Sequence, residues 1–116
     1  MEAKRAPLIR QRQHLLRNRP TLTEVIRGTV FERRLTCGKS SCHCARGEGH
    51  RVWYLSISRA TAAPEQITLP PELVTTVRRQ VENYRRLVQW VGKIAEVNRQ
   101  LLRLERTALR GAARRR

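Results

Sequence analysis

The 116-residue sequence predicts an α+β fold with a small three-stranded antiparallel meander, a zinc-knuckle loop and a long C-terminal coiled-coil-like helix. Two short stretches rich in β-branched and apolar residues flank a loop that holds all three cysteines. Farther along, apolar residues recur at helical spacing without an interrupting proline. The predicted divisions are 1–27, a basic N-terminal arm or short helix; 28–70, a small β domain with the Cys/His cluster; 71–110, a long basic amphipathic helix; and 111–116, an arginine-rich tail.

The N-terminal segment is polar and basic, with a few leucine and isoleucine residues at helix-like intervals. Pro20 ends any helix that forms there, because proline disfavours the helical conformation of the residue before it. The segment is therefore either a short basic helix or an arm that becomes ordered on a phosphate backbone.

The three strands are predicted from short apolar and β-branched runs at residues 29–36, 52–58 and 66–69. In the second run, alternation places Trp53, Leu55 and Ile57 on one face, with Tyr54 on the other. The first connection of the meander is then the cysteine-containing loop.

The loop offers four candidate zinc ligands, Cys37, Cys42, Cys44 and His50. Structural zinc takes four tetrahedral thiolate or imidazole ligands, and such clusters supply them. On an extended segment, Cys42 and Cys44 project to the same side and His43 points away, so His50 is preferred over His43 as the fourth ligand. Gly38, Gly47 and Gly49 allow tight turns with positive φ. The alternative is a cluster of three reduced thiols without a metal.

The long helix begins near Pro70-Pro71-Glu72, and Gly111 is predicted to end it. Some 38 residues at ~1.5 Å rise would span about 57 Å, whereas a compact chain of this size measures ~26–28 Å across. The second half is therefore expected to project or to fold back as a hairpin, with Gly92 as the weak point.

Heptad spacing along this helix predicts a seam for a homodimer or for a helix-docked protein partner. The predicted seam residues are Val77, Val81, Tyr84, Val88, Val91, Ala95, Asn98 and Leu102. Asn98 would fix the register at some cost in stability. The alternative is that the seam packs on the N-terminal helix of the same chain.

The chain is strongly basic, with 25 Lys and Arg against 9 acidic residues and a net charge of +16. Both flanks carry the excess, which predicts a nucleic-acid partner, with DNA favoured over RNA and no role for a membrane. The candidate contacts are Arg10, Arg12, Arg17, Arg19, Lys39, Arg78, Arg79, Arg85, Arg86, Lys93, Arg99 and Arg106. The alternative is a solvated surface with internal pairs such as Glu82 with Arg86.

Catalysis is the weakest functional hypothesis, and we expect that the chain is not an enzyme. The sequence contains no aspartate, so an acidic cluster for Mg²⁺-dependent chemistry has no obvious centre. A zinc ion with four protein ligands leaves no position for water. The sequence shows neither a secretory signal nor a transmembrane run, which predicts a cytoplasmic location with reduced cysteines.

The motifs CGKSSCHCARGEGH, WYLS, LPPELV and VENYRRLVQWVGKIAEVN resemble those of a family of small, uncharacterised prokaryotic proteins. The resemblance covers roughly residues 28–102, and its members are often encoded beside transposable elements, which implies a role in DNA transactions. By position, it implies the same four metal ligands. The chain departs from the family pattern at Arg51-Val52, where Gly-Pro is usual, and at TAAPEQ, where a basic Gly-Lys turn is common.

The functional hypothesis is a zinc-stapled nucleic-acid-binding accessory protein that grips the DNA backbone through arginines and is linked to a mobile element or to recombination. The alternative hypothesis is a coiled-coil adaptor that binds a protein partner or RNA.

Overall fold

A computed structural model of the chain describes residues 2–36, 38 and 49–115. In chain order the elements are α1 (Glu2–Arg17), β1 (Thr29–Leu35), β2 (His50–Ile57), β3 (Glu65–Leu69), a 3-10 turn (Pro71–Leu73) and α2 (Val74–Arg114). The chain divides into two compact units, the sheet unit (Thr23–Arg85) and the helical unit (Met1–Leu22 with Arg86–Arg116). The predicted α+β class is confirmed.

The sheet unit contains a three-stranded antiparallel sheet in the order β1-β2-β3, which confirms the predicted meander. Phe31 pairs with Tyr54 across the first ladder, and Leu55 pairs with Ile67 across the second. All three strands lie within two residues of their predicted bounds, because alternation and turn residues define short strands well.

The inner face of the sheet packs on the first turns of α2. Leu55, Leu69, Val74, Val77 and Val81 form the buried core of this unit. Ile26, Val30, Trp53 and Ile57 pack against that core. The predicted inner face of β2 is therefore confirmed.

The outer face of the sheet carries the alternate residues of each strand, since successive side chains point to opposite faces. On β1 and β2 these residues include Phe31, Arg33, Tyr54 and Ser56. Phe31 and Tyr54 are half-buried, and Arg33 is exposed.

The segment before β1 is held against α2 by two polar contacts within the sheet unit. The backbone N–H of Ile26 donates to the Gln80 carbonyl at 3.1 Å. The Asn83 side-chain amide donates to the Glu24 carbonyl at 2.9 Å. Asn83 therefore fixes an irregular segment that would otherwise leave backbone groups unpaired.

The helical unit pairs α1 with the C-terminal part of α2 in antiparallel directions. The Trp90 indole donates to the Leu15 carbonyl at 2.7 Å, and Arg12 donates to the Asn98 side-chain oxygen at 2.8 Å. Val97 lies on the same face as Trp90 and is 1% exposed. The N-terminal segment is thus a helix, and α2 does use one face to pack on it.

A single uninterrupted helix runs from Val74 to Arg114, through both Gly92 and Gly111. Of the two expected alternatives, the hairpin is therefore wrong, and the helix continues beyond the expected end at Gly111. Two alanines follow Gly111, and alanine is the strongest helix former, so one glycine does not end the helix. Within the described part of the chain, neither helix has a stretch apolar enough to cross a membrane.

Candidate nucleic-acid interface

The predicted metal loop connects β1 to β2, and its two ends are adjacent because Leu35 pairs with His50. His50 is the first residue of β2 and is half-buried. Cys37, Cys42 and Cys44, together with Lys39 and His43, lie outside the described residues. Among residues 2–36, 38 and 49–115, no cluster of three or more His, Cys, Asp or Glu side chains could hold a metal ion.

Two glycines that border this loop have the backbone conformation that the sequence predicted. Gly38 has φ of 84° and Gly49 has φ of 85°. A Cβ at position 49 would lie 2.9 Å from the Leu35 carbonyl oxygen, so only glycine fits there without displacing backbone. Gly47 lies outside the described residues. The two ends of the loop are therefore in close contact.

The helical unit presents a row of arginines on one face of α2, which we call the basic stripe: Arg99, Arg103, Arg106 and Arg110. Their spacing of four, three and four residues keeps them on one side of a helix. All four side chains are exposed. Four positive charges thus project from one rigid element over roughly 16 Å of helix axis.

One carboxylate lies at the N-terminal end of the basic stripe. Glu96 forms an ion pair with Arg99 and accepts a hydrogen bond from Gln100 at 3.2 Å. The hydrogen bond from Arg99, then that from Gln100, lowers the pKa of Glu96, and the same pairing raises the pKa of Arg99. Arg103, Arg106 and Arg110 form no ion pair with any described residue, although the charge of Arg103 also lowers the pKa of Glu96 and Glu105 lines the same groove.

Three of the predicted contact residues in the sheet unit interact with neighbouring side chains. The Arg78 guanidinium lies over the Trp53 ring, 4.7 Å from its centroid. Arg79 lies 3.8 Å from a Glu24 oxygen, and Arg85 lies 3.8 Å from a Glu82 oxygen. These surface pairs are exposed and weak, so each arginine can still exchange its partner for a phosphate.

The remaining predicted contacts belong to the helical unit. Arg10, Arg17, Arg19, Arg86 and Lys93 are exposed, and Arg86 has a partner within the chain. Arg12 is half-buried and bonded to Asn98, which suits it to holding the two helices together.

The predicted seam residues divide into two groups. Val77 and Val81 lie in the core of the sheet unit, and Tyr84 is half-buried, so these three positions are used within the chain. The other predicted seam residues remain exposed. Among them, Asn98 also accepts a hydrogen bond from Arg12. We call the exposed apolar row the apolar stripe, and it consists of Val88, Val91, Ala95, Leu102 and Leu109. Leu102 is 60% exposed and Leu109 is 67% exposed.

The basic stripe and the apolar stripe meet along one shallow groove of about 560 Å³. Its lining residues are Arg99, Leu102, Arg103, Glu105, Arg106 and Leu109. The helical unit therefore offers an apolar row bordered directly by positive charge, and that charge is complementary to an acidic group or a polyanion.

Arg103 and Arg110 were not among the predicted contacts, because those contacts were chosen along a strict seven-residue column. A count at alternating intervals of three and four residues, which follows the true helical period, would have found them.

The described residues define an α+β protein in which a small antiparallel sheet is packed on a long, arginine-rich helix. The chain belongs to the family described as Domain of unknown function (DUF6788), which matches residues 5–79. The basic stripe lies outside the matched residues. No curated protein and no solved structure shows significant similarity to the chain.

Proposed function

We propose that the protein is a DNA-binding accessory protein that contacts the phosphate backbone through the basic stripe. The observation that carries the proposal is the exposed row Arg99, Arg103, Arg106 and Arg110, most of it without an acidic partner among the described residues. One DNA strand advances ~3.4 Å per phosphate, so a row of roughly 16 Å faces about five phosphates. Arginine donates bidentate hydrogen bonds to phosphate oxygens.

The overall charge of +16 supports the same function, because a strongly basic chain is drawn to a polyanion. Contacts to phosphate position a protein on DNA without reading its sequence. The resemblance to proteins encoded beside transposable elements agrees with a role in recombination or in the handling of a mobile element. We propose a cytoplasmic location for that role.

Replacing Arg106 with Gln tests the basic stripe. We expect the slope of log affinity against log salt, measured on a duplex by fluorescence anisotropy, to become shallower by about 0.9, because one phosphate contact is lost. Arg59→Gln is the matched control, since it removes the same charge from a loop where Arg59 donates to the Ala63 carbonyl. Equal slopes for Arg106→Gln and the wild type would remove Arg106 from the interface.

The proposal includes a structural zinc ion held by Cys37, Cys42, Cys44 and His50. The loop's ends meet at the Leu35–His50 pair, so a ligand near each end can reach one centre. Bound zinc contributes folding free energy directly in small domains. The three thiols and the imidazole match the donor atoms that structural zinc prefers.

Metal content by mass spectrometry under native conditions tests this site. We expect about one zinc per chain in the wild type and loss of zinc in Cys42→Ser, because a structural site needs all four ligands. His50→Ala compared with His43→Ala identifies the fourth ligand, and His14→Ala serves as a histidine control on α1. Full zinc retention in Cys42→Ser would exclude Cys42 as a ligand.

A second copy of the chain is the proposed occupant of the apolar stripe, because Val88, Ala95, Leu102 and Leu109 recur every seven residues, the period of a coiled-coil seam. Such a dimer would place two basic stripes on one DNA molecule. The exposure of Leu102 and Leu109 also favours a second candidate function, that of an adaptor whose helix binds a different protein. A tight complex with a protein, insensitive to salt, would support the adaptor instead.

A further inference from the structure

The outer face of the sheet carries an aromatic pair that the arginine contacts do not explain. The rings of Phe31 and Tyr54 are stacked, with centroids 5.4 Å apart and planes 20° from parallel. They are directly opposite each other across the β1–β2 ladder. The two rings therefore form one stacked aromatic pair, in which each ring turns a face toward the other, on the side of the sheet that α2 does not cover.

Arg33 extends this surface. Its guanidinium lies over both rings, 5.3 Å from the Phe31 centroid and 5.8 Å from the Tyr54 centroid, so it covers part of the aromatic surface. Arg33 is exposed and forms no ion pair with any described residue. An exposed guanidinium over two rings can move aside for a base and then stack on that base or pair with its phosphate.

Among the described residues, the neighbours of the pair on the outer face of the sheet include no carboxylate. On the same face, Ser56 and Thr68 flank Tyr54 on the neighbouring positions of β2 and β3. Glu32 belongs to the inner face, where it pairs with Arg34 and Arg51. The outer face of the described strands β1 and β2 therefore combines aromatic rings, hydroxyl groups and a positive charge, with no carboxylate to repel a polyanion.

We infer that this face binds an unpaired segment of DNA, with a base stacked on the Phe31–Tyr54 pair in place of the Arg33 guanidinium, which then binds the adjacent phosphate. Every base has a π-face, and proteins that bind single strands combine aromatic platforms with positive charge in this way. The bases of an intact duplex are already stacked on each other, so this surface distinguishes single strands from duplex. We name DNA rather than RNA because this inference rests on the proposed DNA-binding function. It adds that the preferred form of the DNA is single-stranded.

Binding of a single-stranded oligodeoxynucleotide to Phe31→Ala and Tyr54→Ala tests the inference, with a duplex and an RNA of the same sequence measured in parallel. We expect each substitution to lower single-strand affinity by roughly tenfold, the usual effect of losing one stacked base. The salt slope should stay at its wild-type value, because no phosphate contact is lost. Tyr54→Phe keeps the ring and should keep wild-type affinity, and duplex binding should be unchanged in all variants.

Wild-type single-strand affinity in both alanine variants would overturn the inference while leaving the proposed function intact. Duplex binding without any single-strand binding would also overturn the inference and leave the proposed function intact. The face would then be assigned to another occupant, such as a protein. Tighter binding to RNA than to DNA, with the same loss in the alanine variants, would overturn the choice of DNA. Binding to none of these nucleic acids by the wild type would instead reject the proposed function.

A measurement on the wild type covers the case in which an alanine variant fails to fold. Single-stranded DNA carrying iodouracil is cross-linked to the protein by light, and the attached peptide is identified by mass spectrometry. Attachment at Phe31 or Tyr54 is the expected result. Attachment confined to peptides from α2 would contradict it.

Discussion

Replacing Val88 with Asp is expected to convert the proposed dimer to a monomer. Val88 is 51% exposed in the single chain and lies in the apolar stripe, so a second copy would bury it. An unpaired carboxylate in such a seam costs several kcal/mol in desolvation, and about 3 kcal/mol raises a dissociation constant by more than a hundredfold. Light scattering across a range of protein concentrations measures the change.

Gln89→Asp is the matched control for this substitution. Gln89 is the next residue of α2, is exposed, and lies outside the apolar stripe. The Gln89→Asp substitution adds the same negative charge outside the proposed seam. The Gln89→Asp variant should therefore remain a dimer. A monomeric wild type would reject the dimer directly, and dissociation of both variants would show that added charge alone explains the result.

Truncating Leu55 to Ala is expected to lower the free energy of unfolding of the sheet unit by about 2–5 kcal/mol. Leu55 is 3% exposed and packs in the core with Leu69 and Val81. Removing its side chain forfeits burial and leaves a cavity. Typical domains have only about 5–15 kcal/mol of stability, so this loss is large.

Leu73→Ala provides the control, because it is the same chemical change at a side chain that is 48% exposed. Urea denaturation followed by circular dichroism should show a change within about 0.5 kcal/mol for Leu73→Ala. Equal destabilisation by the two substitutions would contradict the assignment of Leu55 to the core.

The sheet could be predicted from the sequence because each of its strands is defined locally. Alternation in β2 assigned Trp53 and Leu55 to the inner face, and the structure agrees. What alternation could not show was the register that places Phe31 opposite Tyr54, since that depends on the length and path of the connecting loop. The aromatic pair therefore became visible only in three dimensions.

It was harder to predict which residues of α2 are buried within the chain and which remain exposed. Apolar residues occur as adjacent pairs, such as Leu87 with Val88 and Leu101 with Leu102, so a count of periodicity gives one broad stripe. In the structure the first residue of each pair is half-buried and the second is exposed. Sequence periodicity does not indicate that the N-terminal helix covers only part of such a stripe. The predicted zinc ligands, apart from His50, lie outside the described residues and stay a prediction.

The most direct test of DNA backbone binding is the affinity of the wild-type protein for a mixed-sequence duplex, measured across a range of salt concentrations. Four phosphate contacts by the basic stripe predict a slope of about −3.6 in log affinity against log salt. A roughly fourfold rise in salt should then weaken binding by about a hundredfold. Absence of duplex binding at moderate salt, or binding that does not respond to salt, would contradict the account.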